Sequence, residues 1–120
     1  MKRYVISALL TAAIASGASA STPATFPGGQ EALDTYLGSN VKYPVFAQEN
    51  GIEGTVTVDF TVSPDGTVTG VKIARPLDPD LEAEAIRVVK AMPAWVPATD
   101  DAGAPVTSTV SLPVKFRLTH

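Results

Sequence analysis

Cysteine is absent from the chain. That excludes disulfides, thiolate metal sites, a cysteine nucleophile and the lipidated cysteine of a bacterial lipoprotein. It does not name a compartment, since export permits disulfides without requiring them. Histidine is nearly as scarce. The single one, His120, is the last residue, and chain ends are loosely held, so no acid–base constellation can be assembled around it. The sequence also lacks a GxSxG elbow, an HExxH helix, a phosphate loop and a glycine-rich dinucleotide fingerprint. No enzymatic activity, cofactor or metal is expected from such a chain.

Long apolar runs are missing too. The longest, Tyr4 to Ala15, is interrupted by Ser7 and Thr11 and falls short of the roughly 20 residues a membrane-spanning helix needs. Lys2 and Arg3 precede it and Ala18-Ser19-Ala20 follows. A basic start, an apolar middle and small residues at the end make residues 1–20 read as a secretory signal peptide cleaved after Ala20, with an uncleaved anchor as the alternative. The expected location is the periplasm, with no membrane insertion after cleavage. Removing Lys2 and Arg3 leaves 9 − 2 = 7 basic side chains against 12 acidic ones, a formal charge of −5. An acidic domain is a poor partner for nucleic acid or anionic lipid.

With 120 residues, 45% of them apolar, there is room for one modest core. Ser21 to Thr25 reads as a short connector and residues 26–120 as the domain. The spacing of Ala32, Leu33, Tyr36 and Leu37 predicts an amphipathic helix over Gln30 to Leu37, ended by Gly38-Ser39-Asn40. Pro44 can open a second, short helix that directs Phe46 and Ala47 at the sheet and stops at Asn50-Gly51. Val56, Val58, Phe60 and Val62 alternate with Thr55, Thr57, Asp59 and Thr61, the period of a half-buried strand. Pro64-Asp65-Gly66 supplies turn chemistry, and a hairpin should follow.

The returning strand, Thr67 to Arg75, does not keep one parity. Val68 matches one phase and Val71 and Ile73 the other, which a bulge at Thr69-Gly70 would reconcile. A third helix should run from about Pro79 to Ala91, capped by Asp78 or Asp80, with Leu81, Ala85, Val88, Val89 and Met92 inward. The carboxylates of Asp78, Asp80, Glu82 and Glu84 lack the glycine and spacing of a calcium loop and suit a helix N-terminus. Trp95 and Val96 are expected back in the core. Last comes a strand over Val106 to Leu118, with Val110, Leu112, Val114, Phe116 and Leu118 inward. Pro113 cannot donate to a ladder, so this strand belongs at a sheet edge with the missing donor turned outward.

The pattern YPxxAxxxGIxGxVxVxFxVxxDGxV over Tyr43 to Val68, followed by Pro93, Trp95, Pro97, Gly103-x-Pro105-Val106 and Pro113-x-x-Phe116-x-Leu118, resembles the C-terminal domain of TonB proteins. The resemblance spans the last two-thirds of the chain. It implies an α+β, two-layer fold in which a three-stranded antiparallel sheet carries helices on one face, and the last strand is a free edge. It also implies a non-catalytic role: gripping an extended peptide of an outer-membrane transporter, or of another envelope protein, by strand addition. The chain departs from the family in its spacer. Ser21 to Thr25 reaches only about 18 Å where the family has a long proline-rich segment, so the connector could not carry the domain across a periplasm.

An exposed edge is a template for another strand. The candidate partner-binding residues are therefore Thr107, Thr109, Ser111, Lys115 and Arg117 along the last strand, together with Tyr43, whose Tyr-Pro pair matches the family motif. Tyr43 is equally suited to packing, and Lys115 and Arg117 could instead protect the edge from aggregation. The alternative function is a self-associating structural or adaptor module of the cell envelope, in which the open edge pairs with a second copy to give a homodimer.

Overall fold

The computed structural model describes residues 3–8 and 22–119. In chain order the elements are β1 (Arg3–Ala8), α1 (Gly29–Asn40), α2 (Val45–Glu49), β2 (Gly54–Val62), β3 (Val68–Arg75), α3 (Pro79–Lys90), β4 (Ala98–Thr99), β5 (Pro105–Val106) and β6 (Ser108–Thr119). Strands β6, β2 and β3 form the expected three-stranded antiparallel sheet, with the helices on one face. β1 lies antiparallel along the outer side of β6, so the full sheet has four strands in the order β1-β6-β2-β3. Of the segment read as a signal peptide, only Arg3–Ala8 is therefore seen. The rest of it, and His120, lie outside the described residues.

The alternation of β2 is realised in full. Val56, Val58, Phe60 and Val62 are buried against α3 and β6, while Thr55, Thr57, Asp59 and Thr61 lie on the uncovered face. Each such side chain removed from water contributes about 1.5–3 kcal/mol. β6 supplies the matching row of Val110, Leu112, Val114, Phe116 and Leu118. At the hairpin, the Ser63 amide donates to Thr67 O at 2.9 Å and the Gly66 amide to Ser63 O at 2.8 Å. The Asp65 carboxylate accepts from the Thr67 amide at 3.0 Å.

Gly66 serves a second purpose beyond its φ of 88°. The Trp95 amide donates to Gly66 O at 2.9 Å, and a Cβ on Gly66 would lie 2.2 Å from Trp95 O. The turn is thus pressed against the backbone that delivers Trp95 to the core. There Trp95 meets Phe60 and Phe26 edge-on, at centroid distances of 5.2 and 5.7 Å.

Gly70, at φ 62°, sits where the β2–β3 register slips between Asp59 and Thr61. The bulge falls at the expected glycine and turns Val71 and Ile73 back toward the core. In α3, Asp78 is the N-cap: its carboxylate accepts from the amides of Asp80 at 3.0 Å and Leu81 at 3.1 Å. A cap of this kind is worth about 1 kcal/mol. The inner stripe is the expected one, with Leu81, Ala85, Val88 and Val89 buried and Met92 packed against them.

Four local expectations need correction. Gly38 does not end α1. The helix runs on to Asn40, whose side chain donates to Tyr36 O at 2.7 Å, and the chain leaves it with the Val41 amide bonded to Leu37 O. Phe46 faces solvent at 60% exposure, because a single short turn of helix can direct only one residue inward and Ala47 takes that place. Val96 is 52% exposed: its backbone bridges to Thr25, and because neighbouring side chains of an extended segment point to opposite sides, burying Trp95 turns Val96 out. Finally, Thr22–Thr25 is held to the domain and does not simply connect to it. Amides and carbonyls of Thr22 and Thr99, and of Thr25 and Val96, pair reciprocally at 2.8–3.1 Å, and Ala24 between them is 1% exposed.

Candidate docking edge

β6 is bonded to β2 along one side, from Ser108 opposite Val62 to Phe116 opposite Gly54. β2 stops there, and the carboxylate of Glu53 takes up the next ladder position by accepting from the Leu118 amide. That bond fixes the direction of every amide in the strand. Leu118 donates toward the β2 side, and because backbone groups alternate, the amides of Thr109, Ser111, Lys115 and Arg117 point to the opposite side, away from the sheet. Position 113 would donate outward as well, and proline there has nothing to donate. The missing donor is thus turned away from the sheet.

The expectation of a free edge is only half met. From Val114 to Thr119 the outer side of β6 is paired with β1, in the register Val114 with Ala8, Lys115 with Ser7, Arg117 with Val5 and Thr119 with Arg3. Among the described residues, no strand covers the outer side of Ser108 to Pro113. The correction has a plain physical cause: an uninterrupted row of outward donors and acceptors recruits any extended segment within reach, and Tyr4-Val5-Ile6 is rich in strand-forming residues.

Of the candidate partner-binding residues, Thr109, Ser111, Lys115 and Arg117 lie along this edge, and Thr107 is exposed immediately before it. Their side chains share the sheet face that carries no helix. The Ser111 hydroxyl donates to Asp59 Oδ1 at 2.6 Å, so its side chain is already used within the sheet and its backbone is what the edge presents. Lys115 and Arg117 form no salt bridge among the described residues. With Glu53, Gly54, Thr55 and Phe116 they line a cleft of about 220 Å³ at the end of the sheet. Cations there suit an acidic side chain on an added strand, and equally discourage indiscriminate pairing.

Tyr43 is elsewhere. It is 3% exposed, donates its hydroxyl to Ile52 O and stands edge-on to Phe116 at a centroid distance of 5.4 Å. Burial, with the carboxylates of Glu53 and Asp78 nearby, pushes its phenol above the ordinary value, so it stays protonated as a donor. The geometry makes Tyr43 a support beneath β6, touching the strand from the core side. Near it, Lys42, Pro44, Val45, Asp80, Glu84 and Arg87 edge an open groove between α2 and α3. Glu84 ties that region together by accepting from Arg87 at 2.7 and 2.8 Å and from the Lys42 amide at 2.6 Å.

A three-stranded sheet whose last strand turns a row of amides outward, supported from below by a hydrogen-bonded tyrosine and interrupted by a proline, has the organisation that the sequence pattern implied. The family model of the Gram-negative bacterial TonB protein C-terminal matches residues 39–118. This chain belongs to the TonB C-terminal domain family. It is similar to the Protein TonB of Helicobacter pylori strain J99, 32% identical over 87 residues that make up 72% of this chain and 29% of that protein. It is also similar to the Protein TonB of Klebsiella pneumoniae, 35% identical over 108 residues, 90% of this chain and 41% of that protein. The chain thus spans well under half the length of these relatives. No solved structure gives a significant match. Among the described residues of this TonB C-terminal domain there is no cluster of three or more metal-ligating side chains, and no helix long and apolar enough to cross a membrane.

Two components of the edge were not expected from sequence. Glu53 acts through its place one residue before β2, and the only sign of it is a carboxylate beside a glycine. β1 acts through a long-range pairing, and its sign is the β-branched run inside what otherwise reads as an export signal.

Proposed function

We propose that this TonB-like domain is a periplasmic binding module, exported by residues 1–20 and cleaved after Ala20, that holds an extended peptide of an outer-membrane transporter or another envelope protein by strand addition to β6. The observation that carries the reading is that the outer edge of β6 takes a strand: its outward amides and carbonyls bond β1 over Val114 to Thr119. Main-chain bonds of this kind give affinity with little dependence on sequence, while Lys115 and Arg117 add a preference for acidic neighbours. In this reading the domain is a passive grip, and any force transmitted through it comes from other proteins.

An NMR titration of residues 21–120 with N-terminal transporter peptides of the same organism tests it. Saturable shifts should concentrate between Thr107 and Leu118 and reach Tyr43 through Phe116. A folded domain whose resonances do not move would remove the transporter reading.

Self-association has one observation in its favour. The strand on the edge comes from this chain itself, and the same pairing between two copies would give a dimer. Light scattering at high concentration separates the two, since a monodisperse monomer contradicts it.

A further inference from the structure

The geometry points to a competition built into the chain: while residues 3–8 remain attached, β1 occupies the docking edge, and loss of that segment is what opens it. This inference rests on the reading of the outer side of β6 as the docking site. The outward donors of Lys115 and Arg117, which a partner strand would use, are those that face Val5 and Ser7 of β1. Adjacent strands lie about 4.8 Å apart, so β1 and a second strand cannot share this stretch. Nor is there an equivalent foothold beside it. β1 ends opposite Val114, the next position is Pro113 with no donor, and only Thr109 and Ser111 remain as outward donors beyond it.

Covalent attachment makes the competition one-sided. Thr22 is bonded to Thr99, so residues 9–21 join β1 to a fixed point on the domain, and at full extension they span about 45 Å. A tethered strand meets its site at an effective concentration on the order of millimolar. A free peptide of equal intrinsic affinity must reach a comparable concentration to displace half of it. Removal of residues 1–20 abolishes the competitor and takes away none of the residues that make the Thr22–Thr25 pairing.

The test uses the full chain produced without export, so that residues 1–20 are retained, beside the same chain carrying Val5→Pro and Ser7→Pro. These substitutions remove two of the three β1 amides that face β6, those of Val5 and Ser7, Arg3 opposite Thr119 supplying the third. Two readouts are taken: hydrogen exchange at the Lys115 and Arg117 amides, and binding of a labelled synthetic peptide copying residues 3–8. Self-occupation predicts exchange at least about tenfold faster in the variant, and peptide binding at least about tenfold tighter than in the intact chain. Equal exchange, or equal peptide affinity, overturns it. Protection that disappears on dilution also overturns it, because the edge is then filled by a second copy. Should the opened variant bind the synthetic peptide and not a transporter peptide, self-occupation stands and the transporter reading fails.

Discussion

Replacing Gly66 with alanine isolates the contact that holds the hairpin turn to the Trp95 segment. Two costs follow from the geometry. At φ 88° an alanine carries about 1–2 kcal/mol of backbone strain. The new Cβ would also lie 2.2 Å from Trp95 O, a backbone atom that cannot swing aside. Relieving that overlap costs about 1–3 kcal/mol, and separating the two segments gives up the Trp95 to Gly66 hydrogen bond, about 1 kcal/mol more. The sum is about 3–6 kcal/mol, a large part of the roughly 5–15 kcal/mol typical of a domain. Gly103 provides the control. Its φ is 82°, yet nothing lies within 4 Å of its Cβ position, so Gly103→Ala carries the backbone cost alone, about 1–2 kcal/mol. Urea unfolding followed by the fluorescence of Trp95, the only tryptophan, reads both directly. With a slope of about 1.5 kcal/mol per molar, Gly66→Ala should lower the midpoint by about 2–4 M and Gly103→Ala by about 1 M. Coincident curves for the two variants would refute the contact between turn and Trp95 backbone as a source of stability.

Phe60, 1% exposed and edge-on to Trp95, should cost about 3–5 kcal/mol when truncated to alanine; an unchanged denaturation midpoint would mean that β2 faces the other way. For Glu84, burial alone would raise its pKa, but its hydrogen bonds from Arg87 and the Lys42 amide outweigh this and hold the carboxyl below the ordinary value. Its stabilisation is therefore complete above about pH 4.3, the unperturbed value, and is lost as pH falls through the depressed folded value. Glu84→Gln should flatten the acid limb of the stability profile, and an unchanged limb would contradict it. Lys115→Pro removes an outward donor of β6 and should weaken peptide binding to the processed domain by up to roughly tenfold, one hydrogen bond's worth, with the fold retained; unaltered affinity would place the added strand elsewhere.

The legible parts of this fold are those where a local pattern has one physical solution. Four apolar residues alternating from Val56 to Val62 can bury only one face. A parity break at Gly70 needs a bulge, and a proline at 113 cannot donate to a ladder. The family pattern carried the topology, which periodicity alone does not contain. What was not legible depends on distant partners. Phe46 and Val96 are apolar in sequence, and their exposure follows from α2 being a single turn and from the Thr25 bridge at Val96. Thr22–Thr25 reads as a polar connector because its partners, an isolated bridge at Val96 and the two-residue β4, are too short to announce themselves. Pro113 marks the outer side of β6 but says nothing of what lies against it, because the composition of residues 1–20 suits an export signal and a β-strand alike.

The absence of native cysteine makes the central claim open to a direct measurement. Single cysteines placed at Thr109, Ser111, Lys115 and Arg117 on the edge, and at Thr57 and Thr61 on the neighbouring strand β2, are each mixed with a transporter peptide carrying one cysteine. All six positions lie on the same uncovered sheet face, so only proximity to an added strand distinguishes them. Strand addition predicts disulfide trapping at the β6 positions and none at Thr57 or Thr61. Trapping at all six alike, or at the β2 positions alone, would show that the peptide lies across the face of the sheet, and the edge would no longer be the docking site.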